Sequence, residues 1–396
     1  MNIYLLNAPN TYNYGSMMMA ENFIYYFDKA CNTRNEYYVE TDDLESTRER
    51  LRNATGMDNI HTVPTGSLYH NSHISRKAMI KGVLSNKGML SDFAYKMDAV
   101  VVLGGDDYTE DYGWRALVSQ LLKLNIVTGH KKVYFIGQTM GPFHSFRLPI
   151  ARHFLSKAEK IYVRDKITFE YLKGMKLKNI DEIPDLALLP LARENGHAGK
   201  ARQICVFPSE LIYKYSKNPN RQLCVDFYTK LCNTLLQQYP EHRILLIPHV
   251  LKPESSNDSA MSRDVYGSLP DMYKGSRVQL EHPQYPFEVR ELIKQSEFVV
   301  SARMHPVISA IECRVPGICF SYSRKYWGII GEGYGLKEYI IDIRDHDYEE
   351  LLSDFGKVLD NLRKNHAKVI EKISTKNEQD QRIMINKLKE LAGLVK

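Results

Sequence analysis

Short runs of Val, Ile, Leu and Phe recur along the whole chain, most followed by a turn and then a longer amphipathic stretch. In the first half these runs are Ile3–Leu6, Ala99–Leu103, Val133–Ile136 and Ile161–Val163. The second half has Ile204–Phe207, Ile244–Ile247, Phe298–Val300, Ile318–Phe320 and Tyr339–Ile343. Strands that are apolar along their whole length belong to a sheet covered on both faces. Their alternation with helical segments makes that sheet parallel and doubly wound. The pattern restarts after about residue 190, past Leu191–Lys200, a polar stretch without apolar period that reads as a linker. The expected fold is therefore α/β: two Rossmann-like doubly wound domains, residues 1–190 and 201–396, facing each other across a cleft. Residues 347–396 carry Leu351, Leu352, Phe355, Val358, Leu359 and Leu362 at helical spacing, which predicts a helical tail packed through that stripe. Residues 42–95 show weak periodicity and no clean strand, and read as an irregular segment, a loop or lid near the cleft.

Composition narrows the class without changing this picture. A chain of 396 residues suits two domains of ordinary size. Its 43% hydrophobic and 25% charged residues are those of a globular protein. The net charge of +6 comes without a dense Lys/Arg run, so a nucleic-acid partner is not expected. Six cysteines lie scattered without C-x-x-C spacing, and Cys205 and Cys319 fall inside apolar strands, as reduced thiols do. The start Met1–Asn7 has no basic flank, and no apolar run approaches the ~20 residues that span a bilayer. A cytoplasmic protein whose membrane contact is at most peripheral is expected.

The strongest chemical signal lies in the last third. The strand Phe298–Val300 runs into Ser301-Ala302-Arg303-Met304-His305, and the next strand, Ile318–Phe320, opens into Ser321-Tyr322-Ser323-Arg324-Lys325. Two consecutive strands thus deliver Arg303, His305, Arg324 and Lys325 to one carboxyl edge, where open α/β sheets bind ligands. Clustered cations there call for a small, highly charged anion. Arginine grips phosphate or carboxylate through two donors, lysine acts as a point charge, and histidine moves a proton near neutral pH. A buried salt-bridge cluster would need carboxylates close by, and only Glu312 is near in sequence.

Other strand ends carry weaker signals. Gly15 sits at the turn after the first strand, where a backbone can approach an anion, although an ordinary βα turn has the same form. Gly104-Gly105 follow the strand Ala99–Leu103 and precede Asp106, Asp107 and Glu110, a loop able to meet sugar hydroxyls. Gly137-Gln138-Thr139-Met140-Gly141-Pro142 forms a shaped loop with one amide reader, Gln138. Arg164-Asp165 closes the strand Ile161–Val163 and by itself reads as a pair capping the next helix. His249 ends the strand Ile244–Ile247 and precedes Ser255-Ser256-Asn257-Asp258. No His/Asp spacing suggests a metal.

Together these residues resemble the polysaccharide pyruvyltransferase family. The blocks that carry the resemblance are Asn13-x-Gly15, Gly104-Gly105, Gly137-Gln138-x-x-Gly141-Pro142, Arg164-Asp165 and Pro184-Asp185. In the second half they are Ser301-x-Arg303-x-His305, Ala310, Pro316, Tyr322, Lys325 and Gly335-Leu336. The likeness spans roughly residues 1–345, with 42–95 outside it. Two departures, Asp106-Asp107-Tyr108 after the paired glycines and Ser16 after Gly15, fall where an acceptor would bind and bear on its identity.

The resemblance implies the GT-B arrangement and transfer of a pyruvyl group from phosphoenolpyruvate to two sugar hydroxyls, giving a ketal and phosphate. Phosphoenolpyruvate is then the donor substrate, and no cofactor or metal is called for. The partner is a glycan or activated-sugar acceptor, and a lipid-linked one would bring the protein to a membrane surface. The catalytic residues expected are His305 as general acid, Arg303 and Arg164 as clamps on carboxylate and phosphate, and Lys325 beside the departing phosphate. Gly15, Gly104, Gly105, Gln138, His249 and Asp258 are the expected acceptor contacts. Two other functions share parts of the pattern: a GT-B nucleotide-sugar glycosyltransferase, and a non-catalytic binder of anionic glycans. The 26 tyrosines would suit sugar stacking, but they are dispersed.

Overall fold

The computed structural model describes residues 1–7, 10–70, 89–110, 113–194, 199, 201–344 and 346–396. The apolar runs become the strands of two parallel sheets. The first contains β1 (Asn2–Leu6), β2 (Glu36–Glu40), β3 (Ile60–Val63), β4 (Ala99–Tyr108), β5 (Lys132–Met140), β6 (Lys160–Val163) and β7 (Ile180–Glu182). The second contains β8 (Gln203–Phe207), β9 (Arg243–Leu246), β10 (Val278–Leu280), β11 (Val299–Ser301), β12 (Gly317–Ser321) and β13 (Ile340–Asp342). Strand order is β3-β2-β1-β4-β5-β6-β7 in one and β10-β9-β8-β11-β12-β13 in the other. Each order reverses once, at β1/β4 and at β8/β11. Such a switch point opens a crevice at the carboxyl ends of the strands.

Four strands escape the apolar-run reading: β2, β3, β7 and β10. Three of them are sheet edges, and β2 alternates buried and half-buried positions. A strand covered less completely needs fewer consecutive apolar residues. The segment 42–95 is also more regular than its composition suggests. Leu44–Thr55 is a helix ended by Gly56, and β3 follows it; residues 71–88 of the expected lid lie outside the described residues. Of the expected linker, residues 195–198 and 200 lie outside them too.

The domain boundaries expected at 190 and 201 need correcting at both chain ends. One compact unit comprises Met1–Thr11, Met19–Leu186 and Gln381–Lys396; the other comprises Tyr12–Met18 and Ala187–Asp380. Tyr14 is the reason at the first crossing. Its fully buried ring belongs to the second unit's core with Phe207, Ile247, Val299 and Ala310, and its hydroxyl donates to Pro283 O. At the second crossing, the helix Tyr348–Val395 runs on past Asp380 without a break. Its last turns bury Met384, Leu388, Leu391 and Val395.

Candidate active site

In the second unit, the switch point at β8/β11 is flanked by the ends of β9 and β11. β11 ends at Ser301, whose hydroxyl accepts from Arg303 N (2.9 Å) and fixes the turn into the helix Met304–Glu312. The turn aims Arg303 at Asp258. Nε donates to Asp258 Oδ2 (3.1 Å) and Nη2 to Oδ1 (2.9 Å), with a further bond from Nη2 to Ser256 O (2.9 Å). Asp258 also accepts from Val250 N (3.0 Å), so it ties Arg303 to the chain just past His249. Burial opposes the arginine's charge, but Asp258 more than offsets it and holds the guanidinium pKa above its ordinary value. Arg303 is therefore held by the protein itself in a two-bond pair, the grip foreseen for a substrate carboxylate.

His305 lies in the first turn of that helix, against the backbone of Gly15. A Cβ on Gly15 would overlap Nδ1 and Cγ of His305 and lie 2.6 Å from Cε1. Gly15 is held there by its neighbours. Asn13 bridges Val250, Leu251 N donates to Tyr12 O (2.8 Å), and Tyr14 N donates to His249 O (3.3 Å). The start of the helix Tyr14–Ala30 is thus laid along the end of β9, beside the imidazole of His305. Two helix N-termini, each favourable to negative charge, meet at this point.

His249 completes the cluster. Its ring lies nearly parallel to that of His305 (15°, centroids 6.5 Å apart), edge-on to Tyr14 (5.5 Å) and Phe207 (6.0 Å). The side chain is 2% exposed, and neither ring nitrogen has a hydrogen-bond partner among the described residues. Burial above all, then the positive charges of His305 and Arg303, push its pKa well below the ordinary histidine value. Both causes favour the uncharged imidazole.

The turn after β12 joins the same edge. Tyr326 donates its hydroxyl to Ala302 O (2.8 Å), binding this turn to the one that carries Arg303. Lys325 Nζ stands 5.2 Å from the ring centre of Tyr322, which stacks on Tyr215 at 4.7 Å. Five of the expected site residues, Gly15, His249, Asp258, Arg303 and His305, are in this way brought together in one unit, with Lys325 on the adjoining turn.

The remaining four belong to the first unit. Gly104, Gly105 and Gln138 lie in strands, not loops, since β4 and β5 stay paired as far as Tyr108 and Met140 with a register shift near the glycines. Gly104 is required by close approach: a Cβ there would sit 2.5 Å from Gly137 O. The Gln138 amide is fully buried and donates to Leu103 O, so its nitrogen reads the protein's own backbone; its Oε1 has no partner among the described residues. Arg164 pairs with Asp185 (2.8 Å), both side chains essentially inaccessible, and also donates to Thr139 Oγ1 (3.0 Å) and Gly105 O (3.1 Å). The helix cap is Asp165 alone, which accepts from Thr168 N (2.8 Å). The acidic loop is engaged as well, for Glu110 takes two bonds from Arg147 (2.7 and 2.8 Å).

Tyr14 and Asp185 carry much of this arrangement and were not singled out as site residues. Tyr14 stands between two turn residues, and Asp185 belongs to the Pro184-Asp185 block of the resemblance; these are their signs in the sequence.

A family model described as polysaccharide pyruvyl transferase matches residues 13–324. No curated protein matches the sequence. Among solved structures, the pneumococcal O-GlcNAc transferase in complex with UDP and GlcNAc is similar with a TM-score of 0.59 at 9% identity, over 100% of this chain and 99% of that one. UDP-GlcNAc 2-epimerase from Neisseria meningitidis gives 0.58 at 10%, over 98% and 99%. The enzyme of that name from Methanocaldococcus jannaschii gives 0.54 at 13%, over 90% and 91%. At these identities the likeness is one of fold: two parallel-sheet α/β domains of the GT-B class.

Proposed function

The chain belongs to the polysaccharide pyruvyl transferase family, and from that premise we propose that it moves the pyruvyl group of phosphoenolpyruvate onto two hydroxyls of a sugar, forming a ketal and releasing phosphate. The observation that carries this reading is the place of His305: at the switch point of the second sheet, pressed against Gly15 where two helix N-termini meet. An anion with a phosphate and a carboxylate a few bonds apart suits that position. His305 protonates the methylene carbon, a role worth ~10²–10⁴-fold. Lys325 balances charge on the departing phosphate. Arg303, fixed by Asp258, is the positioning residue that holds the turn and adds positive potential. Arg164 keeps the same kind of part in the first unit, where it holds Gly105 in place. Gly104, Gly105 and Gln138, whose buried Oε1 has no partner among the described residues, are proposed as acceptor-side residues.

The test is incubation with phosphoenolpyruvate and a panel of free, nucleotide-linked and lipid-linked sugars. Acceptor-dependent phosphate release and the mass of a pyruvate ketal are expected. His305→Ala should abolish turnover while phosphoenolpyruvate still binds. Transfer from a sugar nucleotide, with no phosphate released from phosphoenolpyruvate, would overturn the reading in favour of a glycosyltransferase.

A further inference from the structure

Ketal formation needs four proton transfers, two to atoms of the donor and two from the diol. The π pair of phosphoenolpyruvate takes a proton at the methylene carbon, and the first hydroxyl oxygen bonds to the neighbouring carbon and sheds its own proton. The C–O bond to phosphate then breaks, its electron pair leaving with the phosphate, and the second hydroxyl attacks and sheds a second proton. Of the two protons given up by the diol, one replaces that donated to carbon and one leaves on phosphate. Two groups in opposite protonation states run this cycle without exchange with bulk water.

We infer that His249 is the second proton-carrying group of this site, the base that complements His305 as acid; the inference rests on the pyruvyl-transfer reading. His305 gives its proton to carbon while His249 takes that of the first hydroxyl, directly or through one bound water. His249 then protonates the leaving phosphate oxygen, and His305 recovers its proton from the second hydroxyl. Both imidazoles end as they began.

Three observations support the assignment. The rings are neighbours, nearly parallel at 6.5 Å between centroids. The imidazole of His249 is buried, yet neither nitrogen bonds any described residue. An unsatisfied buried donor or acceptor is costly, and one kept at a site calls for a reason that a catalytic role supplies. Burial, then His305 and Arg303 of the β11 turn, favours the neutral form a base needs; the rings of Tyr14 and Phe207 stand edge-on to it, and the carboxylate of Asp258 is already paired with Arg303. Shielding from solvent protects the cation formed at carbon from capture by water.

Two variants test the role. His249→Leu removes the unsatisfied nitrogens and should melt at or above the parent temperature, yet turn over at least ~10²-fold more slowly, with phosphoenolpyruvate affinity unchanged in titration. His249→Gln keeps polarity but cannot carry a proton, and should lose activity to a similar degree. Turnover within threefold of the parent in either variant would overturn the base role and leave pyruvyl transfer standing. Loss of phosphoenolpyruvate binding would overturn it in another way, making His249 a donor ligand. Absence of phosphate release by the parent protein with every acceptor would instead remove the reading on which the inference rests.

Discussion

Gly15 has no room for a side chain in the candidate site. Its backbone is set by Asn13, whose Oδ1 accepts from Gly15 N (3.1 Å), and its missing side chain is the space His305 fills. Alanine there forces the imidazole out of its position, because the overlapping atoms belong to a ring and cannot yield by bending. Displacement of a reacting group by about 1 Å costs on the order of 10²-fold in rate. Gly15→Ala is therefore expected to keep its secondary structure by circular dichroism and to lose about two orders of magnitude in kcat. An unchanged kcat would mean that His305 does not work from this position. The same logic explains why Arg303 reads differently from sequence and from structure. Guanidinium at a strand's carboxyl end suggests an anion, but its partner Asp258 stands 45 residues away and satisfies two of its donors first.

Among the elements, β4 and β5 show where sequence stops being informative. Gly104-Gly105 and Gly137-Gln138 have loop composition, so an apolar-run reading ends the strands at Leu103 and Ile136. Pairing of Gly105 with Gln138 and of Tyr108 with Met140 carries both strands further, and pairing is a nonlocal property that composition does not encode. What was legible was local: continuously apolar strands, the helix Tyr348–Val395, and the Ser301-x-Arg303-x-His305 turn, whose geometry is made by neighbours two residues apart. Arg164 lies between these cases. Its side chain joins the end of β6 to Gly105 of β4 and to Asp185 after β7, in a pair closed to solvent. Removing one partner of such a pair costs about 3–5 kcal/mol, whereas replacing both by apolar groups is often neutral. Arg164→Met should therefore lower stability in urea by about that amount, and Arg164→Met with Asp185→Leu should regain most of it. If Arg164→Met abolished turnover at unchanged stability, the clamp role expected from sequence would be restored to it.

At the scale of the whole molecule, neither half of the chain is complete as sequence divides it. The second unit's core contains Tyr14, contributed from the first twenty residues, and the first unit contains Gln381–Lys396. These last residues do more than fill a groove. Tyr134 donates to Leu394 O (2.9 Å), Tyr162 to Glu390 (3.2 Å), and Lys387 pairs with Asp181 (2.7 Å), while Met384, Leu388, Leu391 and Val395 are buried. Full burial of side chains of this size is worth ~1.5–3 kcal/mol each, a large fraction of a domain's net stability. A chain ending at Asp380 is thus expected to unfold in two steps, the first unit melting well below the parent temperature. The second unit keeps its core in that chain, since Tyr12–Met18 and Ala187–Asp380 are all retained. Hydrogen exchange would read this directly, with protection lost in β4 to β7 and preserved in β8 to β12. Uniform loss across both sheets would show that the two units fold as one cooperative block, and that the terminal helix stabilises the molecule as a whole.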